Sequence, residues 1–283
     1  MVEIAIGAGT VRVAVSAVSE VGLVRQVNED SVLARPPFFL VADGMGGHLH
    51  GDRASQETVR AVREAFPEQS LVEPPRVIEA IGAANLAVRA LSDGDPRAQS
   101  LSGTTLSGVA LVTADGGRSA HWMIVNVGDS RVYGWSEGGL EQLTVDHSVV
   151  QELVDSGVIT AAAASVHPER HVVTRALGAD EQIAADVWLV PARGQQSFVV
   201  CSDGLTKELT DTEIARVIAA SREDDADPAE RLVRAAVAAG GSDNVTVMMI
   251  DAETIDADRG HESLTRDRIE LEASRLEDTM PRR

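Results

Sequence analysis

Four apolar runs in this chain meet an aspartate flanked by glycine or a small polar residue, and no other feature limits the possible folds as much. Residues 38–42 run into Asp43-Gly44-Met45-Gly46-Gly47-His48, and the run ending at Val127 leads into Gly128-Asp129-Ser130-Arg131. Residues 197–202 lead into Asp203-Gly204, and Gly240-Gly241-Ser242-Asp243-Asn244 opens the last apolar run. One aspartate at a strand end is ordinarily a turn residue or a helix cap. Four of them, beside glycines that let backbone approach closely, are hard to explain as turns alone. Ionised carboxylates gathered at one place need compensating positive charge, because mutual repulsion raises their pKa values. Hard divalent cations supply that charge, and oxygen ligands suit Mg²⁺ or Mn²⁺. A zinc site is disfavoured, since a lone cysteine and scattered histidines give no ligand spacing for it.

The rest of the chain is able to build a frame for such a cluster. Its 283 residues allow one large domain or two small ones. A hydrophobic share of 44% excludes wholesale disorder, while 3% aromatics means a core packed with Val, Leu, Ile and Ala. Acidic residues outnumber Lys plus Arg by 44 to 25, for a formal net charge of −19. Such a surface repels nucleic acid and anionic lipid, so neither is expected as the main partner. Most of this acidity reads as a solubilising surface, with a local metal cluster inside it. The single cysteine, Cys201, rules out a disulfide within the chain and fits a reducing cytoplasm. There is no apolar run long enough to span a membrane, and no basic region ahead of an apolar stretch at the N-terminus. The basic residues are almost all arginine, Lys207 being the only lysine, which reads as a mark of a GC-rich genome.

Strand-like runs cover residues 11–18, 31–34, 38–42, 104–113, 121–127, 131–135, 186–189, 197–202 and 244–250. Helical periodicity covers residues 54–64 and 76–91, the second preceded by Pro74-Pro75. Further helices are expected over 148–156, 211–221 and 227–239. Strands come in neighbouring runs and helices in pairs, which favours antiparallel sheets with helices outside over a Rossmann sheet. Residues 154–175, with Gly157 and Pro168, read as an excursion between elements. The stretch after about residue 250 is charge-rich and reads as a peripheral extension.

A fifth element, Arg25-Gln26-Val27-Asn28-Glu29-Asp30, sets an arginine just ahead of adjacent carboxylates. Its planar fork suits phosphate oxygens, and Glu29 or Asp30 could complete a metal shell. Carboxylates, cations and a phosphate-binding arginine together describe a phosphoester hydrolase.

Six blocks in order resemble the motifs of the metal-dependent protein phosphatase family, the type 2C phosphatases in their bacterial form. They are RQVNED at 25–30, DGMGGH at 43–48, SGTTL at 102–106, NVGDSR at 126–131, DGL at 203–205 and SDNVT at 242–246. One Asp-Gly would be weak evidence; six ordered blocks spanning roughly residues 11–250 are strong. The resemblance implies an α+β fold, a four-layer αββα sandwich of two antiparallel sheets flanked by helix pairs, with the metal centre at one end. It implies a catalytic domain over 1–253 with a mobile flap at about 154–175, and a charged extension over 254–283.

The resemblance also implies roles. Asp43 would bridge two cations and the Gly44 carbonyl would bind one of them. Asp203 and Asp243 would hold the first cation, while Glu29, or Asp30 through water, would support the second. Asp129 would serve a third, weaker cation, and Arg25 would bind the substrate phosphate. A hydroxide bridging the Mn²⁺ or Mg²⁺ pair would attack phosphorus in line, with no phospho-enzyme. Where some relatives carry a histidine after the first Asp-Gly, this chain has Met45, leaving a water or another histidine, His48 or His167, to protonate the leaving alkoxide.

Other residues read as structural. Cys201 and the three tryptophans belong to packing, Thr104 and Thr105 to support of the site, and Arg131 to an ion pair near Asp129. The expected partners are phosphorylated proteins, among them a bacterial Ser/Thr kinase and its targets, met by a cytoplasmic monomer. The alternatives are small phosphorylated metabolites, anti-sigma-factor antagonists, and a phosphoprotein-binding pseudophosphatase. The last predicts lost ligands, and none of the expected aspartates is missing.

Overall fold

The computed structural model describes residues 1–7, 9–46, 51–67, 71–91, 103–114, 116, 119–136 and 139–256. The chain opens with strands β1 (Val2–Ile6), β2 (Gly9–Glu20), β3 (Asp30–Arg35) and β4 (Phe38–Met45), then helices α1 (Gly51–Ala65) and α2 (Pro74–Ala90). Strands β5 (Gly103–Thr104), β6 (Leu106–Ala114), β7 (Ser119–Val127), β8 (Arg131–Ser136) and β9 (Gly139–Gln142) follow. Short helices α3 (Val149–Asp155) and α4 (Ala161–Ala164) lead to β10 (Asp186–Pro191) and β11 (Gln195–Cys201). Helices α5 (Asp203–Glu208), α6 (Asp211–Glu223) and α7 (Pro228–Ala239) precede the last strand, β12 (Val245–Asp256).

The strands form two sheets, ordered β1-β2-β12-β11-β8-β9 and β10-β7-β6-β4-β3, with β5 paired to β4. Every pairing between named strands is antiparallel. Three apolar clusters then mark four layers. Val59, Val62, Val77 and Ile81 of α1 and α2 pack on Phe38, Leu40, Ala110 and Val125 of the second sheet. Phe39, Val41, Leu111 and Ile124 from that sheet meet Val11, Val200, Met248 and Ile250 of the first. Val199, Val245, Val247 and Met249 on the outer face of the first sheet pack on Leu205, Ile214, Ile218 and Leu232 of α5–α7. This is the expected αββα sandwich.

Successive side chains of a strand point to opposite faces. In β4, Phe38, Leu40 and Ala42 therefore face the helices while Phe39 and Val41 face the other sheet. Burial on both faces explains why the central strands read as unbroken apolar runs. Between the sheets, fully buried Trp122 has its ring 6.2 Å from Phe39 and 5.4 Å from Phe198.

The sequence expectations need several corrections. β1 and β9 lie outside the expected runs, because β1 has only two inward residues, Ile4 and Ile6, and β9 none that is buried. The 104–113 run is two strands split at Thr105, whose backbone N–H turns to the Asp43 carbonyl, 2.9 Å away. The one-to-two-turn helices α4 and α5 were also unforeseen, being too short to show periodicity. β12 continues to Asp256, past the expected end at residue 250, because it pairs with β2 along that whole length. His48, Gly47, Ser102 and residues 257–283 lie outside the described residues.

Candidate functional site

The expected carboxylates come from the ends of strands that the sandwich brings together. β3 and β4 pair so that Asp30 stands opposite Asp43. Thr104 and Thr105 hold the Asp43 backbone: the Thr104 hydroxyl donates to its carbonyl at 2.9 Å, and its N–H donates to the Thr105 hydroxyl at 3.0 Å. The Thr105 hydroxyl also lies 2.7 Å from that of Ser130, tying Asp43 to the loop that carries Asp129. The supporting role expected of the two threonines is what the structure shows.

Two glycines make close approach possible. A Cβ on Gly44 would lie 2.1 Å from the Gly51 carbonyl oxygen, and one on Gly204 would lie 1.9 Å from that of Asn244. Only a residue without a side chain lets the Asp203 turn meet the strand that follows Asp243. Asn244 then ties in the Arg25–Asp30 segment. Its side-chain oxygen accepts from the Glu29 N–H at 2.9 Å, and its amide donates to the carbonyls of Val21 and Val27.

The cluster is electrostatically tense. Burial, then the neighbouring Asp30, Asp203 and Asp129, pushes the Asp43 carboxyl well above its usual range, against the pull of Lys207. Burial pushes Asp129 up to about 7, with Asp203 and Asp146 adding to the shift and Lys207 opposing it. Asp30 is raised to about 6 by burial, despite hydrogen bonds from Thr246 and Ser202 to its Oδ2 at 2.6 and 2.8 Å. Burial also raises Glu29, against Arg25. Asp243 goes the other way. Burial would raise it, but Lys207, the Asn244 N–H and Arg25 together hold it below its usual value.

Cations stand among these acids. The Arg25 Nε lies 2.8 Å from Asp243 Oδ1 and its guanidinium 3.7 Å from Glu29. The Lys207 ammonium bridges Asp203 Oδ2 at 2.5 Å and Asp243 Oδ2 at 2.7 Å. Two buried carboxylate oxygens, Asp30 Oδ1 and Asp203 Oδ1, have no hydrogen-bond partner among the described residues. Buried oxygens left unpaired are costly, and a bound cation is one way to satisfy them. Among the described residues, however, no three carboxylate, imidazole or thiol groups close into a shell around one point. The donor set suits a hard divalent ion, and the space between Asp203 and Asp243 is taken by an ammonium.

Some neighbours were not read from the sequence. In the sequence Lys207 reads only as a mark of base composition, because a lone lysine carries no motif; its spacing of four from Asp203 is the available signal. His147 is buried: its Nδ1 accepts from the Gly128 N–H at 3.0 Å and its Nε2 lies 3.2 Å from Asp186, which Arg175 meets at 2.7 Å. That chain joins the end of the 154–175 excursion to the loop before Asp129. Of the two candidate proton donors, His48 lies outside the described residues and His167 accepts from the Glu169 N–H in a local turn; a histidine that the sequence did not single out, His171, feels the site. Burial, Lys207 and Arg170 lower the His171 pKa, against Asp203 and Asp243. Arg131 forms the expected ion pair, but with Asp146, through two nitrogens, rather than with Asp129. Cys201 is fully buried in the helix-side cluster, with its thiol pushed up to about 12 by burial.

Residues 25–236 match the family model described as protein phosphatase 2C. The serine/threonine phosphatase stp of Listeria monocytogenes is 34% identical over 242 residues, which cover 82% of this chain and 93% of that protein. The serine/threonine protein phosphatase PstP of Mycobacterium tuberculosis is 36% identical over 243 residues, covering 86% of this chain but 45% of PstP. The solved catalytic domain of a serine/threonine protein phosphatase PstP in complex with two manganese ions superposes with a TM-score of 0.74 at 33% identity, covering 87% of this chain and all of that one. The ordered aspartates, the sandwich that gathers them and these likenesses agree: the chain belongs to the protein phosphatase 2C family of metal-dependent serine/threonine phosphatases.

Proposed function

We propose that this phosphatase removes phosphate from phosphoserine and phosphothreonine in proteins with two divalent cations, Mn²⁺ or Mg²⁺, held by its strand-end carboxylates. Asp43 with the Gly44 carbonyl, Asp203 and Asp243 form the main ligand set, and Glu29 or Asp30 completes it. Asp129 serves a third, weaker ion. The observation that supports this most directly is the Asp203 Oδ1, without a hydrogen-bond partner among the described residues and buried beside acids whose ionised forms burial and repulsion disfavour. Such cations supply, when bound, an activated water and neutralisation of charge on the phosphoryl oxygens.

The chain's own groups do the rest. Arg25 presents its fork at the solvent side of Asp243, with its side chain 47% exposed, where a phosphate can reach it. Asn244 and Asn28 hold the segment that carries Arg25: Asn28 donates to Ser19 and accepts from the Asp30 N–H. Met45 has no exchangeable proton, so protonation of the leaving alkoxide falls to water or to the flap histidine His171. Residues 154–175 act as the flap, anchored where the Thr174 N–H donates to the His147 carbonyl at 2.9 Å. On this reading the substrates are phosphoproteins, among them a bacterial Ser/Thr kinase and its targets, met by a cytoplasmic monomer.

The test is hydrolysis of a phosphothreonine peptide with Mn²⁺, with EDTA, and by Asp203→Asn with Mn²⁺. Turnover should need the metal and fall on the order of a thousandfold in the variant, with the fold retained. Undiminished turnover by Asp203→Asn would remove that residue from the site. Phosphopeptide binding without turnover in any cation would overturn the mechanism.

A further inference from the structure

We propose that Lys207 is a built-in counter-cation of the metal site, an ammonium that stands between Asp203 and Asp243 in the metal-free protein and that a divalent ion must displace. This rests on the reading of those two aspartates as ligands. The first turn of α5 starts at Asp203, and a residue four positions on returns to the same helix face. That residue is the chain's only lysine. Its ammonium reaches oxygens of both carboxylates at 2.5 and 2.7 Å, with the side chain 19% exposed. Surface ion pairs contribute little, but a pair shielded to this degree keeps much of its attraction.

Three features separate this from an ordinary structural ion pair. The aspartates bridged are those whose strand ends the fold brings together, and Asp203 keeps its other oxygen buried with no hydrogen-bond partner among the described residues. Asp243 is saturated: Oδ1 meets the Arg25 Nε at 2.8 Å and the Asn244 N–H at 2.9 Å, and Oδ2 meets Lys207 and the second Arg25 nitrogen. A cation ligated by Asp243 therefore has to displace a donor already there. Lysine suits that exchange, because a compact charge on a flexible stem can swing aside, whereas an arginine fork gives up two bonds together. The ammonium thereby eases the mutual repulsion of the acids in metal-free protein, and each ion bound at this pair is bound in competition with it.

Competition of this kind has two linked consequences. Removing the charge should leave the metal-free protein less stable and make its affinity for the ion greater. Lys207→Met removes the charge and keeps the stem. By isothermal calorimetry at fixed pH and ionic strength, Mn²⁺ should bind this variant about tenfold more tightly than wild type. In EDTA the variant should melt several degrees below wild type, while the Mn²⁺-saturated proteins melt close together. Lys207→Gln, which keeps an N–H donor without the charge, carries the same expectation and serves if the methionine variant does not stay folded without metal. Equal or weaker Mn²⁺ binding by the neutral variants, with wild type binding normally, would overturn the role of Lys207 alone. No Mn²⁺ binding by wild type would overturn the metal site itself, and this inference with it.

Discussion

Asp186 shows how one side chain joins two parts of the site's surroundings. It accepts from Arg175 at 2.7 Å and lies 3.2 Å from His147, whose other ring nitrogen accepts from the Gly128 N–H. Burial would raise its pKa, but His147 and Arg175 hold it below the ordinary 3.8. A carboxylate with a depressed pKa contributes stability that is complete above the unfolded value and is lost as pH falls through the folded one. Asp186→Asn should thus lower stability by about 1–3 kcal/mol at pH 7, and the difference from wild type should shrink below pH 4. Denaturant unfolding of both proteins across pH 3–7 measures this, and a constant difference would mean the charge is irrelevant. The same scale shows where sequence reading stops. Asp43, Asp129, Asp203 and Asp243 stood out as candidates because each lies at one end of an apolar run next to glycine or serine. His147 and Lys207 did not, because what gives them meaning is a contact that only the folded chain makes.

At the scale of elements, the α5 turn and the head of β12 meet at Gly204. Gly204→Ala would set a Cβ 1.9 Å from the Asn244 carbonyl oxygen, and backbone on both sides would have to shift. The expected cost is about 1–3 kcal/mol, with metal affinity falling further than stability because Asp203 and Asp243 move apart. Thermal melts with and without Mn²⁺ would show it as a diminished metal-induced rise; an undiminished rise would mean the two turns are not coupled. Elements with strong periodicity were readable from sequence. α1 and α2 came out within three residues of their ends, and the central strands stood out because both of their faces are buried. β1, β9 and α5 were not, since a strand with one or no buried face and a helix of six residues offer too few positions to establish a period.

For the whole molecule, the net charge of −19 favours positively charged substrates over negative ones. A phosphothreonine peptide flanked by arginines should be turned over with kcat/KM several-fold higher than one flanked by glutamates, the gap closing near 1 M salt, where the Debye length is about 3 Å. Steady-state kinetics at two ionic strengths tests this, and a gap indifferent to salt would point to direct contacts instead. The charge has no bearing on the order of the strands, which follows from pairing. β12 lies in the middle of its sheet, between β2 and β11, with Asp243 just ahead of it. A nascent chain leaves the ribosome N-terminus first, so β2 and β11 wait beside a gap while most of the protein already exists. A truncated product that ends before β12 carries Asp43, Asp203 and Asp243, yet it cannot close the sheet whose central strand fixes the turn that holds Asp243. On the proposed ligand set, dephosphorylating capacity therefore appears only once synthesis has passed residue 256, and abortive fragments are silent rather than poorly regulated enzymes.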